Sequence, residues 1–187
     1  MRKSFDCIVL AAGKSERMEE WKMLLPFEGK NIIECSVEKA LSVCSRVILV
    51  AGYRAEDLIE IFGNNKRVQI VKNPRFERGM FSSIKCGASC IETDRFFIAL
   101  GDQPFIPPKV YRKLTEYDQI DVVIPKYKGK KGHPIFLSRR VCQTILEMDD
   151  RKTLRDVLAL YPTLAVPVDE QTVIKDIDSP EDYKSSR

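Results

Sequence analysis

At 187 residues, 44% of them apolar, and with a net charge of +4, the chain has material for one well-packed domain. Its Lys and Arg are scattered among acids, which argues against a dedicated nucleic-acid surface, and no apolar run is long enough to cross a bilayer. Small anionic ligands stay compatible with that balance. The opening MRKSFDCIVLAAG imitates a secretory signal, but its apolar run CIVLAA is too short and ends in a glycine loop. A buried strand over 5–11 and a cytoplasmic location are expected instead.

Further strands are predicted at 46–52, 67–72, 95–102, 121–127 and 133–138, several apolar throughout and hence covered on both faces. Between them, 31–43 carries apolar residues at helical spacing, with Asn31 placed to cap and Glu34 three residues on. Helices are also expected at 55–62, 80–91 and 107–117, the last opened by Pro107 and Pro108, where missing amide hydrogens cost nothing. Two more follow near 139–148 and 153–160, where Thr153 and Asp156 form an ordinary helix start. Ser179-Pro180-Glu181-Asp182 marks a short final one. Alternating strands and helices imply a mainly parallel α/β sheet in three layers; the rhythm changes after residue 120. No linker or repeat divides 1–187, so one domain is expected.

Six cysteines stand at 7, 35, 44, 86, 90 and 142. None forms Cys-x-x-Cys and the lone His133 is far from any pair, so zinc lacks its usual spacing and free thiols are expected.

Gly13-Lys14-Ser15 looks like the end of a Walker A loop, but that motif needs a glycine at position 8, which is Ile8. The dinucleotide pattern also fails, since Gly13 is the only glycine before Gly29. A phosphate site survives in physical terms. Small residues Ala11, Ala12 and Gly13 end a strand where open α/β sheets bind ligands, Arg17 offers a forked donor and Lys22 a point charge. The bland alternative is an exposed basic loop. Asp102, in ALGDQP, ends another buried strand; its carboxylate is either a Mg²⁺ ligand or a cap for turn amides. In NPRFERGMFSSIKCG, Gly79 permits close backbone approach, while Ser82 and Ser83 either donate to a ligand or cap a helix.

These segments resemble the molybdopterin nucleotidyltransferase family, the MobA-like group, and its cytidylyltransferase branch in particular. That family opens Leu-Ala-Ala-Gly-x-Ser-x-Arg-Met-Gly-x-x-Lys before a Leu-Pro turn. Leu10, Ala11, Ala12, Gly13, Ser15, Arg17, Met18, Lys22, Leu25 and Pro26 hold those places, and Glu19 replaces the second glycine. Guanylyl-using relatives usually carry two glycines in the first turn and an Asp before the lysine; Ala12 and Trp21 stand there, which tilts the base toward cytosine. Gly132-His133-Pro134 matches the family's acceptor-side stretch, and KDIDSPEDY its carboxyl-terminal motif. In DRKTLR, residues 150–155, only Arg155 of a family motif survives, which weakens the acceptor assignment more than the nucleotide one.

The resemblance implies a Rossmann-like nucleotidyltransferase fold, an α/β/α sandwich with a mainly parallel, mixed sheet. It implies transfer of CMP from CTP to the phosphate of molybdopterin, with pyrophosphate released and Mg²⁺ as cofactor. Arg17, Lys22 and Asp102 would be catalytic. Leu10, Ala11, Ala12, Gly13, Gly79, Ser82 and Ser83 would join them around the nucleotide. Gln103, His133 and Arg155 would face the acceptor. Asp102 and one of Asp176 and Asp178, here Asp176, would hold the metal. GTP, another phosphorylated acceptor, and molybdoenzymes or their maturation factors as partners stay open. So do two rival classes: a Walker-type kinase, with the strand ending at Asp102 as its second motif, and a nucleotide-binding cofactor chaperone without turnover.

Overall fold

The computed structural model describes residues 4–18 and 20–186. In chain order the strands are β1 (Asp6–Ala11), β2 (Pro26–Phe27), β3 (Lys30–Asn31), β4 (Arg46–Ala51), β5 (Val68–Lys72), β6 (Arg95–Leu100), β7 (Val122–Tyr127), β8 (Lys130–Lys131), β9 (Ile135–Ser138) and β10 (Thr163–Pro167). The helices are α1 (Ile32–Leu41), α2 (Ala55–Phe62), α3 (Met80–Ala88), α4 (Pro108–Thr115), α5 (Arg139–Glu147), α6 (Leu154–Leu158) and α7 (Pro180–Lys184).

The main sheet runs β10-β7-β9-β6-β1-β4-β5, with β8 beside the end of β7. Only β8 and β9 run against the rest: β9 lies antiparallel between β6 and β7, which leaves β7 and β10 parallel to the others. This is the mixed, mainly parallel α/β sheet expected, and the change of rhythm after residue 120 is the insertion of β9. Carboxyl ends of β5, β4, β1, β6 and β7 therefore share one rim.

Period-two alternation divides the core. Cys7, Val9, Leu49, Phe97 and Phe136 face α1 and α4, whose Val37, Val110, Tyr111 and Leu114 are buried against them. Ile8, Leu10, Ile48, Val50 and Ile98 face α3 and α5 through Ile84 and Ile145. Each fully buried aliphatic side chain contributes about 2 kcal/mol, against about 1 for a helix cap, so the two-sided runs hold the sheet. Glu34 does accept from the Asn31 amide (2.9 Å), as the spacing predicts. Edge strand β10, which the sequence did not announce, is half-exposed and exists through its parallel ladder to β7. None of the helices among the described residues is long and apolar enough to cross a membrane, and all six cysteines are free.

The final helix is fixed by a reciprocal cap: Ser179 Oγ donates to Asp182 Oδ2 (2.8 Å) and accepts from the Asp182 amide (3.2 Å). Ser179→Ala is expected to cost about 1 kcal/mol, read as a lower urea midpoint at unchanged slope; an unmoved midpoint would contradict the cap.

Candidate active site

The site begins where β1 stops. Beyond Ala11 the chain turns back over the rim, the Ala12 carbonyl accepting from the Tyr53 amide (3.1 Å) and the Gly13 carbonyl from the Trp21 indole N–H (3.0 Å). Trp21 is buried and meets Tyr53 edge-on, ring centroids 6.0 Å apart. This anchors the loop and delivers Lys22, on a single 3-10 turn (Lys22–Leu24), under the rim with 9% of its surface exposed. Arg17 stays outside, solvent-exposed.

Asp102 arrives from the neighbouring strand. The Gly101 amide donates to the Leu10 carbonyl (2.9 Å), and a Cβ at Gly101 would lie 2.9 Å from that oxygen. Lys22 Nζ donates to Asp102 Oδ2 (2.6 Å) and to Asp178 Oδ1 (2.8 Å), while Arg17 Nη2 donates to Asp178 Oδ2 (2.8 Å). Two cations and two carboxylates thus converge on one rim. Burial pushes the Asp102 carboxyl up, Lys22 pulls it down, and Asp176 and Asp178 push it up further; the net is raised. Burial also works to raise Asp178, but the Lys22 and Arg17 hydrogen bonds and charges outweigh it and hold the carboxyl low. Lys22 is held above its ordinary value, since the two carboxylates more than offset burial.

A cleft of about 660 Å³ opens above this cluster, a size suited to a small-molecule ligand. Of the residues expected around the nucleotide, Leu10, Ala12, Gly13, Arg17, Lys22, Gly79, Ser83 and Asp102 line it. Ala11 and Ser82 do not. Ala11 turns into the core beneath α1. The Ser82 hydroxyl accepts from Asn73 Nδ2 (2.9 Å) and lies within donating distance of the Arg75 and Gly79 carbonyls (3.0 and 2.8 Å), so it ties down the loop before α3 instead of lining the cleft. Ser83 Oγ also accepts from Asn73 Nδ2 (3.0 Å) but lies on the cleft wall.

Of the two carboxyl-terminal acids, the one at the clamp is Asp178. Asp176 accepts instead from Gln103 Nε2 (2.5 Å), and neither residue lines the cleft. Arg155 is exposed on α6 and is not part of the cleft lining. Glu19, the departure from the family's second glycine, lies outside the described residues. Sequence reasoning missed Phe76, Glu77 and Met80 on the opposite wall; the GMFSS motif beside them was the available signal. Lys14 reaches across the mouth to Glu77 (2.5 Å), away from the Asp102 cluster.

A divalent cation fits the donor set. Asp102 Oδ1 is buried without a hydrogen-bond partner, and Asp178 offers a second carboxylate beside it. Among the described residues no group of three or more His, Cys, Asp or Glu could hold a metal unaided. Two hard oxygen ligands completed by phosphate oxygens and water suit Mg²⁺.

His133 sits behind Asp102. Burial lowers its pKa to about 4, the nearby Asp102 charge pulling weakly the other way. An unfolded histidine binds its proton near pH 6.5, so the unfolded state holds more protons between pH 6.5 and 4. Stability therefore falls as pH drops through that window. His133→Gln is expected to flatten this part of a thermal-melt pH profile; an unchanged slope would show that His133 titrates normally.

A family model described as "MobA-like NTP transferase domain" matches residues 7–168. The chain is 33% identical over 184 residues to the molybdenum cofactor cytidylyltransferase of Escherichia coli (strain K12), with 98% of this chain and 96% of that one covered. It is 25% identical over 201 aligned positions to a probable molybdenum cofactor guanylyltransferase of Natranaerobius thermophilus, covering 100% and 97%. Among solved structures, a protein of Mycobacterium tuberculosis H37Rv in complex with manganese superposes with a TM-score of 0.81 at 21% identity, with 98% of each chain covered. That last likeness is one of fold.

Proposed function

The chain belongs to the MobA-like NTP transferase family, and from that premise we propose that it transfers CMP from CTP to the terminal phosphate of molybdopterin. One oxygen of the acceptor phosphate attacks the α-phosphorus, the bond from that phosphorus to the bridging oxygen breaks, and pyrophosphate leaves with the electron pair. The nucleophile is already anionic, so no strong general base is needed. Alignment and charge neutralisation are the whole task.

The observation that carries this reading is the shared contact of Lys22 with Asp102 and Asp178, with Arg17 adjoining. Arg17 and Lys22 hold the β- and γ-phosphates and neutralise the leaving charge. Leu10, Ala12 and Gly13 let the backbone approach the nucleotide, with Gly79 and Ser83 opposite. Asp102 and Asp178 hold Mg²⁺, which when bound supplies Lewis-acid neutralisation of phosphate oxygens. Gln103 and His133 flank the acceptor side, where His133, neutral at pH 7, brings no charge to an anionic acceptor.

Ala12 and Trp21 in place of a second glycine and an aspartate favour cytosine, and the identity to a cytidylyltransferase supports that choice. Guanylyl transfer is the alternative, supported by the more distant relative. The domain spans 1–187, the setting is the cytoplasm, and the product goes to molybdoenzymes or their maturation factors. The test is pyrophosphate release screened over four nucleotides with Mg²⁺, with and without molybdopterin. The expected result is release with CTP that requires molybdopterin. Release with GTP alone would reassign the base, release with a different phosphorylated acceptor would reassign the substrate, and binding without release would favour a cofactor chaperone.

A further inference from the structure

We propose that Asp178 is an internal stand-in for phosphate, which makes the cleft reject metal-free nucleotide and accept the metal–nucleotide complex. The inference rests on the reading that the cleft holds a triphosphate. Both oxygens of Asp178 are spent on the clamp: Oδ1 takes Lys22 at 2.8 Å and Oδ2 takes Arg17 at 2.8 Å. One anion bridging an ammonium and a guanidinium is the arrangement a β- or γ-phosphate would make. Phosphate oxygens can reach these cations only by displacing the carboxylate.

The backbone under Asp178 is fixed, so the side chain alone must move. The Ile177 amide donates to the Asp102 carbonyl (3.2 Å), and the Ile177 side chain is fully buried with Phe27, Ile32 and Cys35. The Asp178 amide donates to Asp182 Oδ2 (3.2 Å), inside the cap of α7. Displaced from both cations, the Asp178 carboxylate would face Asp102 and the incoming phosphates with no counter-charge. A divalent cation arriving with the nucleotide supplies it, and turns the same carboxylate from competitor into ligand. Nucleotide and metal affinities are then linked through one side chain, and the linkage is reciprocal.

The experiment is calorimetric binding of CTP and of inorganic tripolyphosphate to the full chain, in EDTA and in Mg²⁺, for the wild type, Asp178→Asn, Asp178→Ala and Asp176→Asn. Losing two charge-assisted contacts that compete with phosphate should tighten metal-free binding of both probes about tenfold or more in the Asp178 variants. The gain in affinity on adding Mg²⁺ should shrink by a similar factor. Asp176→Asn, whose carboxylate sits on Gln103, should change metal-free affinity less than about threefold, the share left to general repulsion. Two outcomes overturn the proposal: unchanged or weaker metal-free binding in both Asp178 variants, or an equal gain in Asp176→Asn. Turnover of CTP with no shift in binding would sink this inference and leave the proposed function standing. Tighter metal-free tripolyphosphate with no binding of CTP would keep the exchange of carboxylate for phosphate at Asp178 and sink the proposed CTP reaction.

Discussion

Replacing Lys22 or Asp102 by alanine is expected to lower pyrophosphate release by about a thousandfold, whereas Lys14→Ala should cost about tenfold or less. Lys22 is buried and its ammonium touches both carboxylates, whereas neighbouring Arg17 is exposed and is engaged by Asp178. Its loss also leaves Asp102 buried against the negative charges of Asp176 and Asp178, which favours protonation of the carboxylate offered to the metal. Asp102→Ala removes that ligand directly and frees Lys22 to pair with Asp178 alone. Lys14 is exposed and engaged by Glu77 across the cleft mouth, remote from the cluster. Measured kcat/KM for CTP with each variant checks the ordering. If Lys14→Ala alone abolished turnover, the phosphate-loop kinase would regain the lead.

A second large effect is expected from packing alone. A Cβ at Gly132 would stand 1.9 Å from the Val173 carbonyl oxygen and 2.5 Å from its carbon. Backbone lies on both sides, since the Gly132 amide donates to the Pro125 carbonyl (2.9 Å) and the His133 amide to that same Val173 carbonyl (2.9 Å). No flexible side chain can yield. Gly132→Ala should therefore cost about 3 kcal/mol and displace His133 from behind Asp102. Urea unfolding reads the first consequence and the acceptor KM the second. A variant with an unmoved midpoint would mean that the 170–174 segment can swing aside.

Much of this architecture was legible because two-sided burial writes itself as uninterrupted apolar runs: CIVLA, RVILVA and RFFIAL could hardly be anything but inner strands. β10 escaped for the opposite reason. TLAVP is a short edge strand ending in proline, and its extended state comes from β7 rather than from its own residues. The hairpin of β2 and β3, two residues on each side, carries too little pattern to read.

The site shows the same division. Asp102 follows a strand end, where the topology sends it to the rim, and Arg17 and Lys22 lie on the loop that leaves the neighbouring strand at that same rim. The choice between Asp176 and Asp178 had no such guide. They are two residues apart in a segment without regular secondary structure, and Ile177 between them is fully buried. Only the docking of Ile177 decides which carboxylate comes level with Lys22. Ser82 and Ser83 pose the helical version of this problem. About 100° separates their side chains, so one helix rotation gives Ser83 to the cleft and Ser82 to the carbonyls of the loop before α3.

At the centre stands the claim that the clamp around Lys22 directs attack to the α-phosphorus of a nucleoside triphosphate. Phosphorus NMR of a reaction holding the protein, Mg²⁺, CTP and molybdopterin reads this directly. Pyrophosphate and a new phosphodiester-linked diphosphate signal, formed in equal amounts, are expected. CDP appearing with a phosphorylated acceptor, and no pyrophosphate, would place the attack on the γ-phosphorus and contradict it.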